Sequence, residues 1–184
     1  MEKIKNNFQI DHSANMTPAQ PRVFPLPGTT YYKMLYDPKS KKQFYTGFKV
    51  FNAITVPFYR LGILPLLGFG KLVLLLTTRG RKSRKMRYTP IGYFRYEGQL
   101  YLISGWGKEA NWYKNMLAFP EDVHVQVGFH RFDAKVESVQ DPDELRQIMK
   151  WLILHHTTGM EANAMGWDPK RDNVETADFS GMFE

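Results

Sequence analysis

The sequence predicts a mainly β domain, in which one small antiparallel sheet or barrel carries helices packed on it. Short apolar or alternating runs follow one another from residue 71 to residue 139, with glycine-containing turns between them. The three- and four-residue periodicity that is typical of helices lies mainly before, between and after these runs. A length of 184 residues suits a single domain with a substantial core.

The folded domain is expected to follow an N-terminal arm. Residues 1–30 are polar and contain four prolines, which favour extended or irregular backbone. We therefore divide the chain into a flexible arm at 1–30 and one folded domain at 31–184.

The first regular element is a helix over residues 38–61, in which Pro57 is expected to produce a kink or an end. Two interpretations of its apolar stripe stay open. The simpler one is a helix buried in the core, and the other is a helix that also touches a membrane or a lipophilic substrate. The stripe recurs at helical spacing and consists of Phe44, Phe48, Phe51, Ile54 and Phe58.

Strands form the centre of the prediction. Turns are expected at Glu97-Gly98 and at Gly128-Phe129, and a short helix over 109–118 ends before Pro120. In the last strand, Phe132, Ala134 and Val136 alternate with charged residues, which predicts one buried face. The strands are placed near 71–78, 86–95, 99–104, 122–128 and 130–139.

A final helix is predicted over residues 141–156, and residues 157–184 are polar with little periodicity. Asp141 is a good N-cap, Pro142 suits the first helical position and Glu144 completes a capping box. The apolar stripe of this helix consists of Leu145, Ile148, Met149 and Leu152.

Charge is unevenly distributed along the chain. Residues 1–78 sum to +7, the nine residues from Arg79 to Arg87 add +6, and residues 88–184 sum to −6, for a net charge of +7. Nucleic acid, an anionic membrane surface or an anionic cofactor would each account for this distribution.

Several classes of chemistry are excluded or disfavoured. The chain has no cysteine, so disulfides, thiolate metal sites and a cysteine nucleophile are excluded. The histidines show no metal-ligand spacing, and no complete phosphate-binding glycine loop or serine-hydrolase elbow is present. We expect no metal site, and any redox or transfer chemistry therefore requires a bound cofactor. Neither a secretion signal nor a membrane-spanning run of ~20 apolar residues is found, which predicts a cytoplasmic protein.

Two segments point to a phosphorylated aromatic cofactor. The six positive charges from Arg79 to Arg87 repel one another, which costs stability unless an anion binds among them. Phosphate is the first candidate for this anion. The segment from Ser104 to Pro120 combines glycines, which permit close approach to a flat ligand, with Trp106, Trp112 and Tyr113.

These segments are similar to the deazaflavin (coenzyme F-420)-dependent nitroreductase family. The resemblance covers roughly residues 42–156 and implies a split β-barrel, the FMN-binding-like fold of flavin and deazaflavin oxidoreductases. The chain departs from the family pattern at Arg84, where members commonly have glycine. The matching residues are Leu74-Leu75-Leu76-Thr77-Thr78-Arg79-Gly80-Arg81-Lys82-Ser83, Arg87, Pro90-Ile91, Trp112-Tyr113-Lys114-Asn115 and Pro120.

The resemblance also implies roles for single residues. Ser104 is implied as the catalytic residue, which donates a hydrogen bond to the substrate near the cofactor ring. The cofactor phosphate and its acidic oligoglutamate tail would be held by Arg81, Lys82, Ser83 and Arg87. The deazaflavin ring would be bordered by Pro90, Ile91, Ser104, Gly105, Trp106, Gly107, Trp112, Tyr113 and Asn115.

The resulting prediction is an oxidoreductase that transfers a hydride between a deazaflavin and an unsaturated, quinone-like or nitroaromatic small molecule. Two alternatives stay open: a member of the same fold that binds lipid, fatty acid or flavin mononucleotide (FMN) without deazaflavin turnover, and a nucleic-acid-binding module, which we disfavour. Peripheral membrane contact through the N-terminal helix and a homodimer are also left open.

Overall fold

The computed structural model describes residues 22–156 and 160–182, and its centre is one curled antiparallel sheet. The strands lie in the spatial order β3-β2-β1-β4-β5 and form a half-barrel with flanking helices. The predicted fold class, a split β-barrel, is therefore confirmed. The strands are β1 (Val73–Arg79), β2 (Met86–Tyr96), β3 (Gln99–Leu102), β4 (Val123–Val127) and β5 (His130–Asp133).

Strand β2 connects the two halves of the sheet. Its first part pairs with β1 as far as Gly92, and from Tyr93 onward it pairs with β3. The turn between β2 and β3 has positive φ at both Glu97 (48°) and Gly98 (79°), the backbone of a tight hairpin turn that matches strand twist. The predicted turn at these two residues is thus confirmed.

Six helices flank the sheet in the part of the chain that the structure describes. The longest, α2, begins at the predicted position, where the Asp37 carboxylate accepts hydrogen bonds from the backbone N–H groups of Lys39 and Ser40, each at 3.2 Å. It continues three residues beyond Pro57 and ends at Arg60. The helices are α1 (Thr30–Tyr36), α2 (Pro38–Arg60), α3 (Ile63–Leu66), α4 (Asn111–Ala118), α5 (Pro142–Trp151) and α6 (Met160–Met165).

The apolar interior has two clusters. The sheet core lies between β1, β2, β4 and α4, and the α5 core lies under α5 and its extension, a π-helical turn over Leu152–His156. The sheet core consists of Leu74, Leu76, Ile91, Met116, Val123 and Val125. The α5 core consists of Phe24, Phe94, Ile148, Met149, Leu152, Met165, Trp167, Ala177 and Phe179.

The two ends of the described chain meet in the α5 core. The backbone N–H of Phe24 donates to the Asp178 carbonyl at 2.7 Å, and the Phe24 ring, fully buried, lies 5.4 Å from the Trp167 ring. Residues 22–30 of the predicted arm therefore pack on the domain. Residues 1–21 of that arm lie outside the described residues, and the division of the chain at residue 30 stays a prediction.

Two sequence predictions about buried faces are wrong. The last strand ends at Asp133 rather than near residue 139, and Phe132 is 41% exposed because β5 is an edge strand. Ala134 and Val136 are partly buried against the sheet core. The interpretation of the α2 stripe as core packing also fails: Phe44 is half-buried, and the rest, Phe48, Phe51, Ile54 and Phe58, is 42–59% exposed.

Candidate active site

A cleft of about 440 Å³ opens where the β1–β2 connection faces α4. We call the connection, Arg79–Arg87, the basic loop. The cleft brings together residues from α2, the basic loop, the start of β2 and α4. Its lining consists of Tyr45, Gly80, Arg81, Lys82, Ser83, Arg87, Tyr88, Thr89, Asn111, Trp112 and Asn115.

The basic loop is held closed by its own backbone. The Gly80 N–H donates to the Lys85 carbonyl at 2.9 Å, and the Arg84 N–H donates to the Gly80 carbonyl at 2.7 Å. A Cβ at Gly80 would lie 2.7 Å from Ser83 Oγ and 3.2 Å from the Lys85 carbonyl oxygen. A side chain at Gly80 would therefore require the Ser83 hydroxyl to rotate away and the loop backbone to shift by a few tenths of an ångström.

Arg84 occupies the position at which glycine would be easiest to accommodate. Its φ of 59° lies in the left-handed region, which costs a non-glycine residue about 1–2 kcal/mol. The Arg84 guanidinium lies 4.6 Å from the centre of the Phe119 ring, a cation–π contact that offsets part of this cost. The departure of Arg84 from the family pattern thus coincides with a strained backbone.

Asn115 fastens the basic loop to α4. Its side-chain oxygen accepts a hydrogen bond from the Arg81 N–H at 3.1 Å, and its amide nitrogen donates to the Thr78 hydroxyl at 3.4 Å. One turn earlier, the Asn111 oxygen accepts from the Arg81 guanidinium at 3.1 Å. Because Asn115 is only 6% exposed, these bonds fix the position of Arg81 at the edge of the cleft.

The cations of the loop have little counter-charge. Arg79 forms an ion pair with Asp122 at 2.6 Å. Within the described residues, no carboxylate lies within ion-pair distance of the other five loop cations, Arg81, Lys82, Arg84, Lys85 and Arg87. Their mutual repulsion falls when an anion binds among them, so this arrangement favours a phosphate or a carboxylate ligand.

One carboxylate, that of Glu109, lies between the predicted ring segment and α4. Lys114 donates to it at 2.6 Å, and this hydrogen bond holds the pKa of the Glu109 carboxyl below its usual range. Weaker attraction from Lys41 and Arg81 acts in the same direction. The Glu109 carboxylate is therefore ionised and paired with Lys114. It does not form an ion pair with the cations of the basic loop.

Six of the predicted site residues line this one cleft, although Arg81 in the loop and Asn111 at the start of α4 are 30 residues apart in sequence. They are Arg81, Lys82, Ser83, Arg87, Trp112 and Asn115. The remaining predicted residues do not belong to its lining: Pro90, Ile91, Ser104, Gly105, Trp106, Gly107 and Tyr113.

Three of these seven have structural positions in or near the sheet core. Ile91 is 8% exposed and belongs to the sheet core, and Pro90 lies opposite Leu75 in the β1–β2 ladder. The Tyr113 hydroxyl lies 3.2 Å from the Ser138 hydroxyl.

The segment Ser104–Gly107 forms a turn that packs under α1 and α2. The Ser104 hydroxyl donates to the Gly107 carbonyl at 2.8 Å, and a Cβ on Gly105 would lie 2.7 Å from the terminal methyl of Met34. Trp106 packs edge-on against Phe48, with ring centres 4.9 Å apart. Its indole N–H is buried and has no hydrogen-bond acceptor among the described residues.

The sequence prediction missed several lining residues. Three of them could have been found from their positions in the sequence. Asn111 precedes the predicted site residue Asn115 by one helical turn, and Tyr88 and Thr89 directly follow Arg87. Tyr45 carries no such signal, because only the packing of α2 brings it to the cleft.

Comparison with known proteins identifies the class to which this fold and cleft belong. The sequence matches the family described as F420H(2)-dependent quinone reductase over residues 65–167, which is 103 of the 184 residues. The chain belongs to this family. It is therefore an oxidoreductase that depends on the deazaflavin coenzyme, as the resemblance implied. No curated protein matches the sequence.

Two further structural findings concern membranes and metals. Among the described residues, no helix combines the length and apolar character that crossing a membrane requires. Over the same residues, no group of three or more potential ligands is arranged to hold a metal ion.

Proposed function

We propose that the cleft binds the deazaflavin and that the chain uses it to reduce a quinone, with unsaturated and nitroaromatic small molecules as further acceptors. One observation carries the proposal: Arg81, Lys82 and Arg87 line the cleft without a carboxylate partner among the described residues, next to the Trp112 ring.

The residues of the basic loop fit the anionic end of this cofactor. Arg81, Lys82 and Arg87 would hold the phosphate and the acidic tail through charge-assisted hydrogen bonds. Ser83 contributes a hydroxyl that already accepts from the Arg87 guanidinium at 3.0 Å. The hydrogen bonds from Arg81 to Asn111 and Asn115 orient the guanidinium before the anion arrives, which lowers the entropic cost of binding.

The cleft also offers an aromatic side chain for the ring of the cofactor. Trp112 lines the cleft and suits contact with a flat ring, whereas Trp106, whose indole N–H is buried without an acceptor among the described residues, lies outside the lining. When bound, the reduced deazaflavin supplies a hydride from its C5 position. Ser104 would donate a hydrogen bond to the substrate, which requires its hydroxyl to turn away from the Gly107 carbonyl.

An apolar groove of about 420 Å³ on α2 favours a quinone-like acceptor. Gln43, Phe44, Gly47, Phe48 and Phe51 line it, and Tyr45 on the same helix lines the cleft. Aromatic side chains of this kind suit a flat, apolar ring better than a charged substrate. A homodimer stays a prediction.

A cofactor titration tests the proposal. Lys82→Ala and Arg87→Ala should each weaken deazaflavin binding, measured by its fluorescence, by about 1–3 kcal/mol, the scale of a lost charge-assisted hydrogen bond. Folding should be unaffected, because each change relieves repulsion in the loop. Lys170→Ala, an exposed lysine outside the cleft, is the matched control.

Two outcomes contradict the proposal. Unchanged affinity in both loop variants means that the phosphate binds elsewhere. Binding of FMN rather than of the deazaflavin means that the cleft serves a different cofactor from the one that the family uses.

A further inference from the structure

An unusual apolar surface covers the outer side of α2 and the turns that follow it. Its most prominent members are 46–78% exposed, although large apolar side chains are usually buried. We call this surface the outer face. It is centred on Phe51, Ile54, Phe58, Leu61, Leu66 and Leu67.

The outer face exists because α2 turns its more polar side toward the protein. The buried residues of α2 are Thr55 and Tyr59, at 8% and 0% exposure. The Tyr59 hydroxyl donates to the Val73 carbonyl at 2.8 Å and accepts from the Gly128 N–H at 3.2 Å. These bonds fix the rotation of the helix, so that its apolar stripe points outward.

The end of the outer face is a well-packed tip rather than a loose loop. Phe129, 64% exposed on the β4–β5 turn, lies against Gly62, where an added Cβ would be 3.1 Å from its ring. Gly70 approaches Gly128 so closely that an added Cβ would be 2.6 Å from the Gly128 Cα. Two distant parts of the chain thus hold Leu66 and Leu67 in place at the surface.

The segment that carries α2 and the turns of the outer face has charges of one sign only. Residues 38–96 contain thirteen Lys and Arg and no Asp or Glu. Lys42, Lys49, Arg60 and Lys71 are exposed on the same elements as the apolar side chains. A second copy of this chain would bring like charges together across the interface, whereas anionic lipid headgroups attract them.

From these observations we infer that the outer face docks on an anionic lipid bilayer. The apolar side chains of α2 and the tip would enter the boundary between headgroups and acyl chains, and the lysines and Arg60 would contact the headgroups. Bound in this way, the chain rests on the membrane surface without crossing it.

Docking would also supply the acceptor. The apolar groove of α2 adjoins the outer face, since Phe51 belongs to both, and Tyr45 on the same helix lines the cleft. A quinone dissolved in the bilayer would therefore enter the groove at Phe51, on the helix that also borders the cleft. This step rests on the proposed function, whereas docking itself does not.

Vesicle sedimentation tests the docking with the full chain and no cofactor. Wild-type protein should sediment with phosphatidylcholine vesicles that contain about 30% phosphatidylglycerol, and less with phosphatidylcholine alone. Leu66→Ser together with Leu67→Ser should lower the partition coefficient at least about tenfold at unchanged net charge. Leu117→Ser together with Leu154→Ser, which removes two leucines of comparable exposure elsewhere, should change it less than about twofold.

Two results would overturn the inference. Equal sedimentation of wild type and the Leu66/Leu67 variant would mean that charge alone brings the protein to the vesicles. A dimer in solution that the same variant dissociates, together with no vesicle binding, would assign the outer face to a second copy. Deazaflavin titration of the Leu66/Leu67 variant without vesicles should match wild type, so a failure of docking and a failure of cofactor binding are measured separately.

Discussion

Helices α2 and α5 carry the same kind of apolar periodicity and have opposite surroundings. On α5 and the turn that extends it, Ile148, Met149 and Leu152 are 1–3% exposed. On α2, Ile54 and Phe58 are 59% and 46% exposed. Apolar periodicity therefore indicates that a helix has an apolar face. It does not indicate whether protein, lipid or substrate covers that face.

The difference follows from what each helix packs against. Both termini of the described chain lie against α5, since Phe24 and Phe179 belong to its core. Lys150 of α5 also forms an ion pair with Glu175 of the C-terminal segment. Helix α2 packs through Thr55 and Tyr59, and carries lysines without any acidic residue. Helix α5 is thus covered by the rest of the chain, whereas α2 leaves its apolar face exposed.

The largest expected difference in the free energy of unfolding is between matched truncations in the apolar stripes of α5 and α2. Leu152→Ala should lower the free energy of unfolding by about 2–5 kcal/mol, because it opens a cavity in the α5 core. Ile54→Ala, the matched change on α2, should stay within ~0.5 kcal/mol. Urea denaturation monitored by circular dichroism measures both. A loss at Ile54 as large as that at Leu152 would show that other protein covers the outer face in solution.

A smaller effect is expected where α2 itself is anchored. Burial raises the pKa of the Tyr59 hydroxyl, so the group stays neutral and keeps the proton that it donates to the Val73 carbonyl. Tyr59→Phe leaves the Gly128 N–H without its acceptor and should cost about 1–3 kcal/mol in the same denaturation experiment.

Tyr45→Phe, on an exposed tyrosine of the same helix, is the control for this change and should leave the unfolding transition in place. If Tyr59→Phe is equally silent, the rotation of α2 depends on other contacts than the Tyr59 hydroxyl.

The smallest expected effect concerns the stability of the fold at low pH, which should depend on the Asp172 carboxyl. The Arg171 guanidinium, 2.7 Å away, holds the pKa of the Asp172 carboxyl below its usual range, and the Asp168 N–H adds to this effect. Because the pKa is lower in the folded state, the stabilisation is complete above the unfolded pKa of about 4 and is lost as the pH falls through the folded pKa.

Asp172→Asn should therefore cost ~1–2 kcal/mol at neutral pH and progressively less in acid. Thermal melts at a series of pH values test this. The comparison variant is Glu109→Gln, whose carboxyl also has a lowered pKa but is exposed to solvent, and its melts should follow those of wild type. A constant difference between Asp172→Asn and wild type at every pH would show that the carboxylate charge is not responsible.

Much of the fold could be predicted because its signals are local. The N-cap of α5 at Asp141 and the hairpin turn at Glu97-Gly98 depend on residues a few positions apart. The same is true of the basic loop, in which charge density alone indicated an anion. Phe24 and Phe179 could not be placed in this way, because each is buried only by residues far away in sequence.

The candidate site shows the same division between features set by local sequence and features set by tertiary packing. The sequence by itself determined the composition of the basic loop, the aromatic residues of α4 and the resemblance to a deazaflavin-dependent family. Only the tertiary structure decided that Asn115 fastens the loop to α4, that Ser104 is hydrogen-bonded to Gly107, and that α2 turns Tyr59 inward and Ile54 outward. The physical reason is that a local pattern specifies which groups a segment carries, whereas the partner that satisfies each group is chosen by packing against the rest of the chain.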